Sequence, residues 1–276
     1  MKLTTLDSMR WFAAALCLLL AAADATAISP SSTDARAIMK AVEGRSNGDK
    51  MISRVQMTII DRKNRKRVRV IRSRSMNFAG GSKQLTIIES PADVRNLAVL
   101  GIDYKDGKKD DDQWLYLPSQ HKSTRIASSG KSGSFMGSDF TYSDMTQRDP
   151  SQYDYRVAAA TVQVDGEDCW KIEARPKTAK EKRETGYVKT IIWVSKNKLM
   201  ALKSMMLVRA GKKTKIVRMR NIKKVNGTWM PHLMTASVGR NKKRESTTVL
   251  KFLTIRLNDP SVKDSDFTQR RLEKGL

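Results

Sequence analysis

The feature that most restricts the fold is an apolar/polar alternation of period two, broken at short intervals by hairpin turns. Residues 157–164 and 169–174 are two such runs joined by Asp165-Gly166, and residues 215–224 and 228–238 are joined by Asn226-Gly227. Asp-Gly and Asn-Gly between alternating runs are strong signals for tight hairpins. Near the start, Met51, Ser53, Val55, Met57 and Ile59 alternate with Ile52, Arg54, Gln56 and Thr58. The charged stretch 61–67 turns this run back into Val68 and Val70, giving a hairpin with one apolar and one basic face. Further strands are predicted over 84–90, 96–102, 113–117, 122–127, 187–194, 199–208 and 245–257. The expected fold is mainly β: a meandering antiparallel sheet of up to about ten strands. Open sheets of that size curl, so an incomplete (half) β-barrel is predicted, with a few helices covering its concave face.

Few segments are available as covers. Ala35, Ile38, Met39 and Val42 recur at helical spacing and predict a helix over 34–43, capped by Ser32 or Thr33 and ended by Gly44. Residues 128–144 break the alternation, with Gly130, Gly133 and Gly137 among serines. They read as a loop with a short helix over 141–145. Residues 175–186 are a charged excursion without apolar period.

The N-terminus reads as an export signal. Lys2 and Arg10 precede or open an apolar run over 11–23, and Ala25-Thr26-Ala27 supplies small residues for cleavage. The run is shorter than the roughly 20 residues a membrane-spanning helix needs. A secretory signal peptide is therefore expected over 1–27, and one domain over 28–276. Cys17 leaves with the signal, so Cys169 has no partner for an internal disulfide. It reads as a buried thiol, with an intermolecular bridge as the alternative. Lys and Arg number 53 against 28 Asp and Glu, a net charge of +25, which attracts anionic partners such as an anionic membrane surface or an acidic protein. Export argues against nucleic acid. The basic residues are mostly dispersed along strands, the pattern of a solvated sheet face.

The chain carries little that could do covalent chemistry. It has two histidines, His121 and His232, and no Cys/His set at metal spacing. Gly133 and Gly137 flank Phe135 where a serine hydrolase would place its nucleophile. Gly130-Lys131-Ser132 lacks the first glycine of a phosphate loop, since Arg125 stands there. The carboxylates Asp110, Asp111 and Asp112 point to alternating faces, a poor arrangement for acid/base work, and weak calcium binding is a minor alternative. No catalytic residue, metal or cofactor is assigned, and the chain is read as a non-enzyme. What remains is apolar surface. Trp114, Tyr116, Phe135, Met136, Phe140 and Tyr142 are the candidate lining and lid of a hydrophobic cavity, with Gly133 and Gly137 as candidate hinges. For the 14 methionines and the remaining aromatics, ordinary core packing is the competing reading.

The runs Asp111-Asp112-Gln113-Trp114-Leu115-Tyr116-Leu117-Pro118 and Ser132-Gly133-Ser134-Phe135-Met136-Gly137-Ser138-Asp139-Phe140-Thr141-Tyr142, with Arg125-Ile126-Ala127 between them, resemble the outer-membrane lipoprotein-sorting family of LolA-like periplasmic proteins. Residues 186–193 and the final strand through Asn258-Asp259 look similar too, so the resemblance covers most of the chain from about Ser73 onward. It implies a strongly curved, incomplete antiparallel barrel with helices plugging its mouth. It also implies a periplasmic carrier that shelters lipid or lipoprotein acyl chains without a covalent step, and an inner-membrane exporter of the resistance-nodulation (RND) type as a partner. The alternative is a non-lipid accessory subunit that docks on such an exporter through its basic surface. A hydrolase relying on His121 or His232 has the least support.

Overall fold

The structure, a computed structural model, describes residues 28–107, 109–241 and 243–274; the signal peptide expected over 1–27 lies outside them. Its strands are β1 (Lys50–Asp61), β2 (Lys66–Phe78), β3 (Gly81–Ser90), β4 (Ala98–Tyr104), β5 (Asp112–Leu117), β6 (Lys122–Arg125), β7 (Tyr153–Val164), β8 (Glu167–Pro176), β9 (Tyr187–Ser195), β10 (Met200–Val208), β11 (Lys213–Val225), β12 (Thr228–Arg240) and β13 (Lys243–Leu257). The helices are α1 (Ala35–Glu43), α2 (Ala179–Thr185) and α3 (Gln269–Lys274). All thirteen strands form one antiparallel sheet in the order β6-β5-β4-β3-β2-β1-β13-β12-β11-β10-β9-β8-β7. It is curved and does not close into a barrel. The count exceeds the ten expected from sequence.

This order explains the architecture. The chain runs outward from β1 to the edge strand β6, crosses to the opposite edge at β7, and returns strand by strand until β13 pairs with β1. Residues 126–152 make the crossing. Both signalled hairpins form with consecutive left-handed residues: Asp165 and Gly166 at φ 50° and 82°, Asn226 and Gly227 at φ 46° and 79°. These turns match the twist of the strands they join.

Register gives the sheet two distinct faces. On the inner face, Val55 lies beside Phe252 and Ile71, Met57 beside Leu250, and Ile59 beside Thr248. The row continues through Met234 and Ala236 to Val217, then through Ser204 to Ile192 and Ile172. Helix α1 covers the β8–β9 end, where Ile38 and Met39 pack with Trp170, Ile172, Ile192 and Val194. The helix is capped by Asp34, whose carboxylate accepts from the backbone N–H of Arg36 (3.0 Å) and Ala37 (2.9 Å), rather than by Ser32 or Thr33. The Ser32 carbonyl instead accepts from the Trp170 indole at 3.0 Å.

The outer face of β1 and β3–β5 is covered by the C-terminal segment. Val262, Phe267 and Leu272 pack there against Ile52, Leu85, Ile87, Ala98, Leu100 and Tyr116, and Arg74 donates to Asp266 at 2.8 Å. The polar sequence at Asn258-Asp259-Pro260 gave no hint of this packing or of α3. Helix α2 lies in the charged excursion. Thr178 caps it through Glu181 N–H at 3.1 Å, and Gly186 ends it at φ 74°. None of the described helices is long and apolar enough to cross a membrane.

Candidate functional site

The crossing segment lies on the inner face. It holds short 3-10 turns at Ser128–Gly130, Phe135–Gly137 and Tyr142–Met145, where sequence predicted a loop with one helical turn. Much of its hydrogen bonding is internal. Gly133 N–H donates to Gly130 O (2.9 Å), Phe135 N–H to Phe140 O (2.8 Å), Tyr142 N–H to Gly133 O (3.1 Å) and Ser143 N–H to Lys131 O (2.9 Å). Thr141 and Asp144 cap each other reciprocally. The chain reverses at Met136 and Gly137, both left-handed at φ 48° and 68°. This drives Phe135, Met136 and Phe140 into a cluster with Val55, Met57, Ile59, Ile71, Ile88, Val99 and Ala236. Tyr142 meets Phe135 edge to face, with ring centroids 5.8 Å apart.

Polar pins fasten this apolar plug to the sheet. Asp139 N–H donates to Thr248 Oγ1 at 2.9 Å, and the Thr248 and Ser246 hydroxyls donate to the Asp139 carboxylate. Gln113 Nε2 donates to Tyr142 O at 3.0 Å, and the Arg69 guanidinium donates to Met136 O. One further pin is electrostatic. Lys215, 2% exposed in the middle of the inner face, forms an ion pair with Asp144. The Tyr187 hydroxyl bridges them, donating to Asp144 at 2.8 Å and accepting from Lys215 at 2.8 Å. Burial raises the Asp144 pKa, but the adjacent ammonium, the Thr141 N–H and Arg148 together hold the carboxyl below its ordinary value. Burial lowers the Lys215 ammonium pKa, and Asp144 offsets part of that fall.

The six candidate lining residues divide between the two faces. Phe135, Met136, Phe140 and Tyr142 come together on the inner face. Trp114 and Tyr116 lie on the outer face, paired with Leu100 and Ala98 and packed with the C-terminal segment. Leu115, between them, is the residue of β5 that packs against the plug cluster. Of the candidate hinges, Gly137 has the left-handed backbone just described. Gly133 sits so close to its neighbours that a Cβ there would stand 2.9 Å from Gly130 O. The sequence assigns no site role to Lys215, Asp144, Asp139, Thr248 or Arg69, yet all of them touch the plug or lie in it.

Two hollows are present among the described residues. One of about 760 Å³ lies between the start of α1 and β7, lined by Thr33, Arg36, Tyr155 and Ala158 among others. The second, of about 420 Å³, is bordered by Lys40, Glu43, Asp103, Arg148, Lys180 and Glu184. Neither is lined by the apolar cluster under the plug. Beside the second hollow, Asp103 accepts from Gln147 N–H at 3.1 Å. Burial and the nearby Asp111 push its carboxyl up to about 7. Of the carboxylate run, Asp110 pairs with Lys180 and Asp112 with Arg125. Among the described residues no group of three or more His, Cys, Asp or Glu is placed to hold a metal. Cys169 is buried on β8, and burial, with Glu167 and Asp168 beside it, pushes its thiol up to about 11.

A family model described as an uncharacterized protein matches residues 80–274. No curated protein matches the chain. Among solved structures, a domain described as an outer membrane lipoprotein-sorting protein from Vibrio parahaemolyticus is 28% identical, with a TM-score of 0.77, covering 87% of this chain and 98% of its own. A DUF1329 family protein from Desulfovibrio piger is 27% identical, with a TM-score of 0.77, covering 86% and 97%. A LolA superfamily protein from Nitrosomonas europaea, 21% identical over 86% of this chain and 98% of its own, shares the fold with a TM-score of 0.64.

Proposed function

The chain belongs to the family whose model spans residues 80–274, and from its LolA-like fold we propose a periplasmic carrier that holds the acyl chains of lipids or lipoproteins during outer-membrane sorting. One observation carries this reading. The apolar inner face is covered by a loop-like segment with largely internal hydrogen bonds, and few sheet groups would lose a backbone partner if it left. Lifting Phe135, Met136 and Phe140 would bare a floor of Val55, Met57, Ile59 and Ile71, where a hydrocarbon chain gains about 0.8 kcal/mol per CH₂ removed from water. Residues 1–27 would direct export and residues 28–276 would form the carrier. Scattered Lys and Arg would meet an anionic membrane surface or the acidic face of an RND-type exporter.

The pins favour a second reading. A plug held by a buried ion pair and by Asp139 also suits an accessory subunit whose inner face stays closed and whose basic surface docks on such an exporter. Native mass spectrometry of the mature chain purified from a bacterial host separates the two. The carrier reading expects co-purifying mass that is lost on organic extraction. Protein that is uniformly free of adducts, with salt-sensitive partner binding, supports the accessory subunit instead.

A further inference from the structure

The carrier reading leaves the chemistry of the cargo's head group open, and Lys215 bears on it. This ammonium sits on β11 with Met206 and Val238 as its register neighbours. The rings of Phe140 and Tyr187 lie 5.7 and 5.5 Å away. Its anionic partner, Asp144, belongs to the plug itself. A carrier of purely neutral tails would be served at this position by an apolar residue. A buried cation without a counter-charge is strongly unfavourable, so a tail that takes the plug's place on the floor re-buries Lys215 at a high cost unless its head brings another anion.

We propose that the inner face takes an anionic amphiphile, a hydrocarbon tail ending in a carboxylate or phosphate, whose head replaces Asp144 at Lys215 and the Tyr187 hydroxyl. The inference rests on the carrier reading and adds the class of ligand to it. The head would sit where the plug now ends. The tail would run across the strands from Val217 past Ala236 and Thr248 to Ile59, neighbours in register on β11, β12, β13 and β1. At about 4.8 Å per strand this row spans roughly 14 Å, the scale of a medium-length acyl chain. The plug's carboxylate and the ligand's head then compete for one cation, so binding the head and releasing the plug are a single exchange.

The test compares laurate with the neutral 1-monolaurin, both below their micelle concentrations, by titration calorimetry on the mature chain. Wild type is expected to bind laurate about tenfold more tightly than monolaurin, the scale of a hydrogen bond to a charged group. Asp144→Asn removes the internal competitor and is expected to widen that ratio. Asp144→Leu/Lys215→Met removes both charges and is expected to abolish it. Equal affinities for the two probes in wild type and Asp144→Asn overturn the anionic head while leaving the carrier reading intact. A preference retained in the double variant does the same. Binding of neither probe by any variant overturns the carrier reading and this inference together. Should Asp144→Asn fail to fold, the comparison of wild type with the double variant decides.

Discussion

Lys215 stands on the inner face where an apolar side chain would be cheaper to bury, and its cost is offset by Asp144 and Tyr187. Replacing it alone leaves a buried carboxylate without its ammonium counter-charge. Lys215→Met is therefore expected to lose about 3–5 kcal/mol of stability in urea unfolding, and Asp144→Leu/Lys215→Met to recover most of it. Asp103 gives a pH signature. Its carboxyl lies near 7 in the folded chain against an ordinary 3.8, so folding favours the protonated form. That contribution is complete below about pH 4 and is lost as pH rises through 7. Thermal unfolding of Asp103→Asn should accordingly depend less on pH between 4 and 8 than wild type, and the variant should be the more stable of the two at pH 8. Little of this was legible in the sequence. Lys213 and Lys215 stand at alternate positions of one strand in the same basic pattern. Nothing local distinguishes the half-exposed first from the buried second, because the difference is made by a segment some seventy residues away.

At the scale of elements, the crossing segment was readable as a glycine-rich, aromatic-bearing loop, and its four apolar residues do converge. The side of β5 it covers was not readable. Trp114, Leu115, Tyr116 and Leu117 make both faces of that strand apolar, so alternation groups Trp114 with Tyr116 without saying which face meets the loop. The C-terminal segment takes the face with the two aromatics, through Val262, Phe267 and Leu272. Helix α2 escaped notice because the apolar period that signals a packed helix is absent from its charged sequence; its cap, Thr178 with Glu181, was the available clue. Two substitutions probe how firmly the plug is seated. Gly137→Ala forces an L side chain into a left-handed backbone at φ 68° and should cost about 1–2 kcal/mol. Phe140→Ala empties a buried site and should cost about 3–5 kcal/mol. Chemical denaturation measures both, and a loss below about 0.5 kcal/mol for Phe140→Ala would mean the ring is not packed as described.

For the whole molecule, the hairpin signals and alternation were enough to predict one large, curled antiparallel sheet. What they could not supply is its circuit. The pairing of β13 with β1 puts β6 and β7 at opposite edges and obliges the chain between them to cross the sheet, which it does over the inner face. The plug is thus a consequence of topology, and the proposed function turns on whether that crossing segment yields to a hydrocarbon chain. Hydrogen exchange followed by mass spectrometry, with and without saturating laurate, measures this directly. If the plug yields, the amides of Phe135, Tyr142 and Ser143 exchange faster when the ligand is bound, while those of β1, β12 and β13 stay protected. Unchanged or slower exchange across residues 131–145 in the ligand-bound protein would contradict the carrier reading.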